Sequence, residues 1–170
     1  MDEQDIYESL REQALTVTAD ELGLAKRAND PFGVLMETGY PNGTATLVAF
    51  GEGSASLYFS SGGGIIGGGR HASVREAALD FVDLSRQFLE HMDPAAIHPL
   101  PSAGKVAFTV LTPSGAWSTT EDEQDLGHNR SELAPLFYAG HAVITELRLI
   151  AESSPAESPS PRSDNGATED

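Results

Sequence analysis

The strand-like and helical parts of this chain meet at one glycine-rich stretch, Ser60-Ser61-Gly62-Gly63-Gly64-Ile65-Ile66-Gly67-Gly68-Gly69-Arg70-His71. The residues before it alternate between apolar and polar, and those after it have helical spacing. Six of the eight residues from Gly62 to Gly69 are glycine. Glycine buries no side chain and loses more backbone entropy on folding than any other residue. This glycine-rich junction, residues Gly62 to His71, therefore indicates a crossing that needs bare backbone.

The first part of the chain predicts a helical region over residues 3–28. Ile6, Leu10 and Ala14 recur at helical spacing on one face. The run Thr18-Ala19-Asp20-Glu21 matches a capping box, with Thr18 as the N-cap and the Glu21 side chain reaching back. We therefore expect a break near Thr18, followed by a second short helix.

Three antiparallel strands are predicted next, over Gly33–Tyr40, Thr44–Phe50 and Ala55–Ser61. Asn42-Gly43 between the first two is a strong hairpin signal, because both residues tolerate positive φ. Glu37 is the one charged residue in the first strand. It points either into a cleft or, as we expect, to the solvent face of an edge strand.

The residues after the junction predict a long amphipathic helix, a hairpin and a last helix. Ser73-Val74-Arg75-Glu76 matches a capping box at the start of the long helix, and an apolar stripe continues to Met92. The remaining elements are an extended loop over 93–104, strands over Lys105–Thr112 and Ala116–Thr120, an acidic loop over 121–125, and a helix from Ser131 to about Ile150.

The order of these elements, α-β-β-β-α-β-β-α, predicts an α+β domain over residues 1–151. Five strands form a mostly antiparallel sheet in this prediction, with helices packed over it. From residue 152 to residue 170 the composition changes to Ser, Pro, Glu and Asp. Such a segment lacks the apolar surface needed to fold, so it is predicted to be a disordered tail.

Composition and charge exclude several classes of function. The formal net charge of −16 repels phosphate backbones and anionic membrane surfaces, so we expect neither nucleic acid nor a membrane as a partner. Without cysteine there are no disulfides and no thiolate chemistry. The acidic N-terminal residues Met1 to Asp5 do not resemble a signal peptide. A cytoplasmic location is predicted.

No catalytic constellation is apparent in the sequence. Gly62-x-Gly64-x-x-Gly67 has the dinucleotide-binding spacing, but the strand before it belongs to a meander and the predicted helix cap lies well downstream. No Lys-Ser/Thr follows, as a P-loop requires. The five histidines form no HExxH motif, so no metal or cofactor is predicted. We expect a protein that is not an enzyme.

The glycine-rich junction itself has three alternative interpretations. Its bare backbone can allow a tight turn or close packing of another backbone segment. The adjacent Ile65 and Ile66 can form an exposed contact point for a partner. Backbone amides with Arg70 and His71 can bind a small anion. The candidate ligand or partner contacts are Gly62, Gly63, Gly64, Ile65, Ile66, Gly67, Gly68, Gly69, Arg70 and His71.

The order of elements over residues 3–150, the small size and the low pI resemble class I type III secretion chaperones and proteins that share their fold. The resemblance implies a homodimer that binds a segment of another protein on hydrophobic patches. It does not extend to the glycine-rich junction. Because the sequence shows no catalytic constellation, and because its helices and strands are apolar for a small domain, we expect an acidic interaction, adaptor or chaperone-like protein. Its expected partner is another protein or a second copy of itself, as a homodimer. The alternative is a domain, possibly an enzyme, that binds a small anion or ligand at the junction.

Overall fold

The computed structural model describes residues 2–153, which fold as an α+β protein around one antiparallel sheet. The described strands are β1 Gly33–Tyr40, β2 Gly43–Phe50, β3 Ala55–Phe59, β4 Gly64–Ile65, β5 Asp93–Pro94, β6 Lys105–Thr112 and β7 Gly115–Asp122. They pair in the order β4-β3-β2-β1-β6-β7-β5. The first strand is therefore central, flanked by β2 and β6.

Four α-helices accompany the sheet in the described part of the chain: α1 Glu3–Thr16, α2 Ala72–Ser85, α3 Glu123–Gly127 and α4 Ala134–Ser153. The side chain of Asp2 caps α1 by accepting a hydrogen bond from the Asp5 amide at 2.9 Å. Pro135 lies in the first turn of α4, where its missing N–H is tolerated. Short 3₁₀ segments, Gly68–Arg70 and Arg86–His91, flank α2.

Helices cover both faces of the sheet. On the first face, α2 and α4 lie side by side over alternate strand residues that include Met36, Leu47 and Phe108. On the second face, α1 packs over the residues between them, such as Leu35 and Val48. This alternation follows the period of two along each strand.

A buried ion pair joins α1 to the centre of the sheet. Glu37 is 1% exposed, and Arg11 donates two hydrogen bonds to its carboxylate, from Nε at 2.8 Å and Nη2 at 2.9 Å. The Thr46 hydroxyl donates a third at 2.7 Å, and the Tyr7 hydroxyl bonds to Thr46 at 2.7 Å. The expectation that Glu37 faces solvent from an edge strand is wrong, because β1 is central and a bidentate arginine compensates the buried carboxylate.

A crossing segment, residues 95–104, runs from β7 to β1 on the second face. It begins at β7, where the Ala95 amide donates to the Ala116 carbonyl at 2.9 Å. It ends at β1, where the Gly104 amide donates to the Gly39 carbonyl at 3.0 Å. Midway, Arg11 Nη2 donates to the backbone carbonyl of His98 at 2.6 Å. Arg11 therefore ties the crossing segment to α1 as well as to β1.

Gly39 makes this crossing possible. A Cβ atom at this position would lie 2.1 Å from the carbonyl oxygen of Ser102 and 2.7 Å from that of Pro101. Backbone atoms this close cannot move away from an added Cβ atom as the end of a flexible side chain could. The close approach of the crossing segment to β1 therefore requires glycine.

The sheet has seven strands where the sequence predicted five. The two additional strands, β4 and β5, are two-residue strands at opposite edges of the sheet. Strands this short show no alternation of apolar and polar residues, so their sequences carried no signal. Pro94 in β5 is compatible with an edge position, because only one side of an edge strand joins the ladder.

The helix predicted around residues 18–28 is wrong. The Glu21 amide does bond to the Thr18 hydroxyl at 3.2 Å, so half of the predicted capping box forms. The chain then makes only a turn, and Gly23 at the end of this turn has a φ of 71°. A local capping signal was present, but the apolar residues of this segment pack against the sheet without a helix.

Other boundaries also differ from prediction, and the helix predicted to continue to Met92 ends as an α-helix at Ser85, with a 3₁₀ segment after it. The long helix α2 begins at Ala72, with His71 as its N-cap, so the predicted Ser73–Glu76 capping box does not form at its start. The predicted acidic loop over 121–125 is the end of β7 followed by α3. Of the predicted disordered tail, residues 152 and 153 end α4, and the rest lies outside the described residues.

Replacing Glu37 by glutamine should lower the free energy of unfolding by about 3 kcal/mol, because Arg11 would then hold an uncompensated charge in a buried site. Asp125→Asn is the matched control, since Asp125 pairs with Arg130 where both side chains are exposed, 43% and 60%. We expect that control to stay within about 0.5 kcal/mol of wild type. Urea denaturation followed by circular dichroism measures both, and equal effects would contradict the role assigned to Glu37.

Candidate functional site: the glycine-rich junction and the hairpin cleft

The glycine-rich junction forms one edge of the sheet before the chain enters α2. Gly64 and Ile65 make up β4 and pair with Tyr58 and Leu57 of β3. A Cβ atom on Gly64 would lie 2.3 Å from the Leu57 carbonyl oxygen, so this backbone contact requires glycine. The backbone is therefore closely packed at β4, as one of the three interpretations of the junction predicts.

The two isoleucines of the junction have different environments. Ile65 is partly buried and packs against the core of the first face. Ile66, the next residue, is 66% exposed. Gly67 follows with a φ of 79°, a left-handed conformation that favours glycine. One isoleucine thus anchors the junction, and the other presents an apolar side chain to solvent.

The remaining residues of the junction lie at its two ends. Gly62 and Gly63 form the turn after β3, and the Gly63 carbonyl accepts a hydrogen bond from the Phe59 amide at 3.1 Å. Gly68, Gly69 and Arg70 form the 3₁₀ turn before α2. Arg70 and His71 are exposed, and the His71 side chain makes no capping hydrogen bond.

A second feature, which we call the hairpin cleft, lies beside the junction between the β1–β2 hairpin and α4. Its inner chamber is a cavity of about 200 Å³ on the first face of the sheet. Four polar or charged residues line it, Thr38, Tyr40, His141 and Arg148. The rest of the lining is apolar and comes from three strands and one helix: Met36, Ala45, Leu47, Leu57, Phe59 and Ile144.

The outer chamber of the hairpin cleft opens at the hairpin turn. Its volume is about 230 Å³. It shares Tyr40, Phe59 and Arg148 with the inner chamber, so the two chambers adjoin at these residues. Its other lining residues are small or polar: Asn42, Gly43, Thr44 and Ser61. None of the described residues that line either chamber is acidic, although the chain has 26 Asp and Glu residues.

His141 is the unusual side chain of the inner chamber. Its Nε2 atom is buried and has no hydrogen-bond partner among residues 2–153. Its ring packs edge-on against Phe137, with the ring centroids 4.4 Å apart. Burial lowers the pKa of His141, Glu123 partly opposes that shift, and Arg148 adds to it. The imidazole is therefore held in its neutral form.

Sequence reasoning did not find the hairpin cleft. The polar residues of its inner chamber come from β1 and from α4, about 100 positions apart in the chain. His141 is one of five histidines that belong to no motif in the sequence, and no motif includes Arg148. One sequence signal was available: the acid-free run from residue 133 to residue 145 in an otherwise acidic chain.

Within residues 2–153 there is no group of three or more His, Asp or Glu side chains placed to hold a metal ion. None of the helices described above is both long and apolar enough to cross a membrane.

Comparison with known proteins gives no relative from which a role could be transferred. No protein-family model matches the chain, and neither the curated proteins nor the solved structures contain a significant match. The resemblance to class I type III secretion chaperones therefore rests only on the order of elements, the small size and the low pI.

Stability should fall as the pH is lowered from about 7.5 to about 5.5, in part because of His141. The pKa of His141 is lowered in the folded chain. Its contribution to the free energy of unfolding is therefore complete above the ordinary pKa of 6.5, and it is lost as the pH falls through the pKa of the folded state. His141→Gln should reduce this pH dependence. Part of it should remain, because burial also lowers the pKa of His98.

Urea denaturation at both pH values measures the effect. His128→Gln is the matched control, since the His128 side chain is exposed. We expect this control to keep the wild-type pH dependence. The same pH dependence in His141→Gln and wild type would contradict the role assigned to the buried imidazole.

Proposed function

We propose that this protein is a non-enzymatic interaction protein that pairs with a second copy of itself through the glycine-rich junction. The observation that supports the proposal is Ile66, an apolar side chain 66% exposed next to the edge strand β4. Isolated exposed apolar residues are common on protein surfaces. Ile66 differs in lying beside unpaired strand backbone, so that one surface offers both an apolar contact and hydrogen-bonding groups.

The edge strand suggests how two copies would pair. β4 pairs with β3 on one side only, so its outer side presents free backbone groups at the edge of the sheet. Antiparallel pairing of β4 with the same strand of a second copy is compatible with a twofold axis. In that arrangement Ile66 of each chain contacts the other chain. The short length of β4 makes this contact modest, and Ile66 would supply most of its apolar area.

The charge distribution also favours this surface. A net charge of −16 opposes association of two copies over most of the surface. Residues 53–75 contain no Asp or Glu and include Arg70 and Arg75. Two chains can therefore approach at the junction with less repulsion than elsewhere. Because of the same negative charge, we do not expect nucleic acid as a partner. A cytoplasmic location remains a prediction.

A second candidate function, binding of a small ligand, is favoured by the hairpin cleft. It combines a partly enclosed chamber with apolar walls, four polar or charged lining residues and a half-buried histidine with a lowered pKa, which together are typical of ligand sites. In this proposal the ligand lies beside the glycine-rich junction and not within it. Only Ser61 in the lining of the outer chamber comes from the stretch around the junction.

Sedimentation velocity over a range of protein concentrations tests the primary proposal. The wild-type mass should rise from 18.0 kDa toward twice that value. Added salt should strengthen association, because it screens repulsion between the acidic chains. Ile66→Asp should remain monomeric at the same concentrations, because pairing would bury its charge.

Ile97→Asp is the matched control. Ile97 lies in the crossing segment and is 81% exposed, more than Ile66. We expect this variant to associate as the wild type does. A wild-type chain that is monomeric at every concentration would rule out self-association. Equal weakening by the two substitutions would show that the contact does not lie at the junction.

A further inference from the structure

We infer that the hairpin cleft binds a small monocarboxylate with an apolar body, such as an aromatic ring or a branched aliphatic chain. The body would occupy the inner chamber, and the carboxylate would lie at Arg148 where the two chambers meet. The inference rests on the second candidate function and is independent of pairing through the glycine-rich junction.

The inner chamber sets the size and polarity of the ligand body. Its volume of about 200 Å³ exceeds the roughly 150 Å³ of an apolar cavity that accepts benzene. Six of the ten residues that line it are apolar, among them Leu47, Leu57 and Ile144. A ligand body that packs against these side chains gains free energy from burial of its apolar surface. One ring or one branched chain is the largest body that fits.

Arg148 determines the charge of the ligand. It lines both chambers and forms no ion pair with any residue from 2 to 153. Its guanidinium group can donate two parallel hydrogen bonds to one carboxylate. The single arginine suits one carboxylate better than a group with several negative charges.

The hairpin cleft differs in charge from the rest of the chain, which is acidic. The chain has 26 acidic and 10 basic residues, yet none of the described residues lining the two chambers is acidic. Glu123 acts on the pKa of Tyr40 and His141, but it is outside both linings. The cleft is therefore a local exception where an anion is less strongly repelled.

Polar groups in the cleft can bind the rest of the ligand. The outer chamber supplies Asn42 and Thr44 beside Arg148 for a carboxylate. In the inner chamber, Nε2 of His141 is buried without a partner among the described residues. A buried polar atom of this kind normally has a hydrogen-bond partner. A hydroxyl group on the ligand body could provide it.

Binding of three probes to the labelled full-length chain tests the inference. Benzoate, benzyl alcohol and benzylamine share a ring of the same size and differ in the charge of the attached group. Amide NMR titrations should show benzoate shifting the signals of cleft residues such as Thr38 and Tyr40. Benzoate should bind at least about tenfold more tightly than benzyl alcohol, because a hydrogen-bonded charge adds to ring burial. Benzylamine should bind most weakly.

Substitutions assign the binding to the two parts of the cleft. Arg148→Gln should weaken benzoate about tenfold and leave benzyl alcohol unchanged. Ala45→Leu should weaken both probes by filling the inner chamber. The matched control is Arg27→Gln, which removes an exposed arginine that lines neither chamber and should change neither affinity. Circular dichroism checks that each variant is folded.

The outcomes separate the two levels of the proposal. If benzoate and benzyl alcohol bind equally, or if Arg148→Gln has no effect on benzoate, the monocarboxylate class is wrong while the cleft remains a ligand site. Tighter binding of benzylamine than of benzoate would also overturn the class. If none of the three probes shifts the cleft signals, both the class and the ligand-binding function are wrong.

Discussion

The ion pair between Arg11 and Glu37 holds the second face of the sheet together. One guanidinium group contacts the carboxylate of β1 and the backbone of the crossing segment, and it belongs to α1. Three elements that are distant in the chain therefore meet at one buried charge. Removing either partner leaves the other charged and desolvated, which is far more costly than the loss of an exposed pair.

The two proposed binding surfaces share one physical feature, the local absence of carboxylates. The residues around the junction, from 53 to 75, contain no Asp or Glu. The described lining of the hairpin cleft contains none either. In a chain with a net charge of −16, these are places where a second copy or a small anion meets less repulsion.

Local patterns predicted most of the fold, and long-range contacts account for most of what they missed. Alternation and the Asn42-Gly43 turn predicted the β1–β2 hairpin. The burial of Glu37 could not be predicted, because its partner Arg11 is 26 positions away. Adjacent isoleucines gave no means of telling the anchored Ile65 from the exposed Ile66. The hairpin cleft combines three strands with α4, so it depends on tertiary packing that periodicity does not report.

We propose that two copies of this chain meet at the glycine-rich junction. Amide NMR spectra of the full chain, recorded at increasing protein concentration without any ligand, test it most directly. We expect the signals of Gly64 to Gly69 to shift or broaden as the protein concentration rises. The signal of the exposed Ile97, in the crossing segment, should stay constant. Spectra that are independent of concentration, or changes confined to the crossing segment, would contradict it.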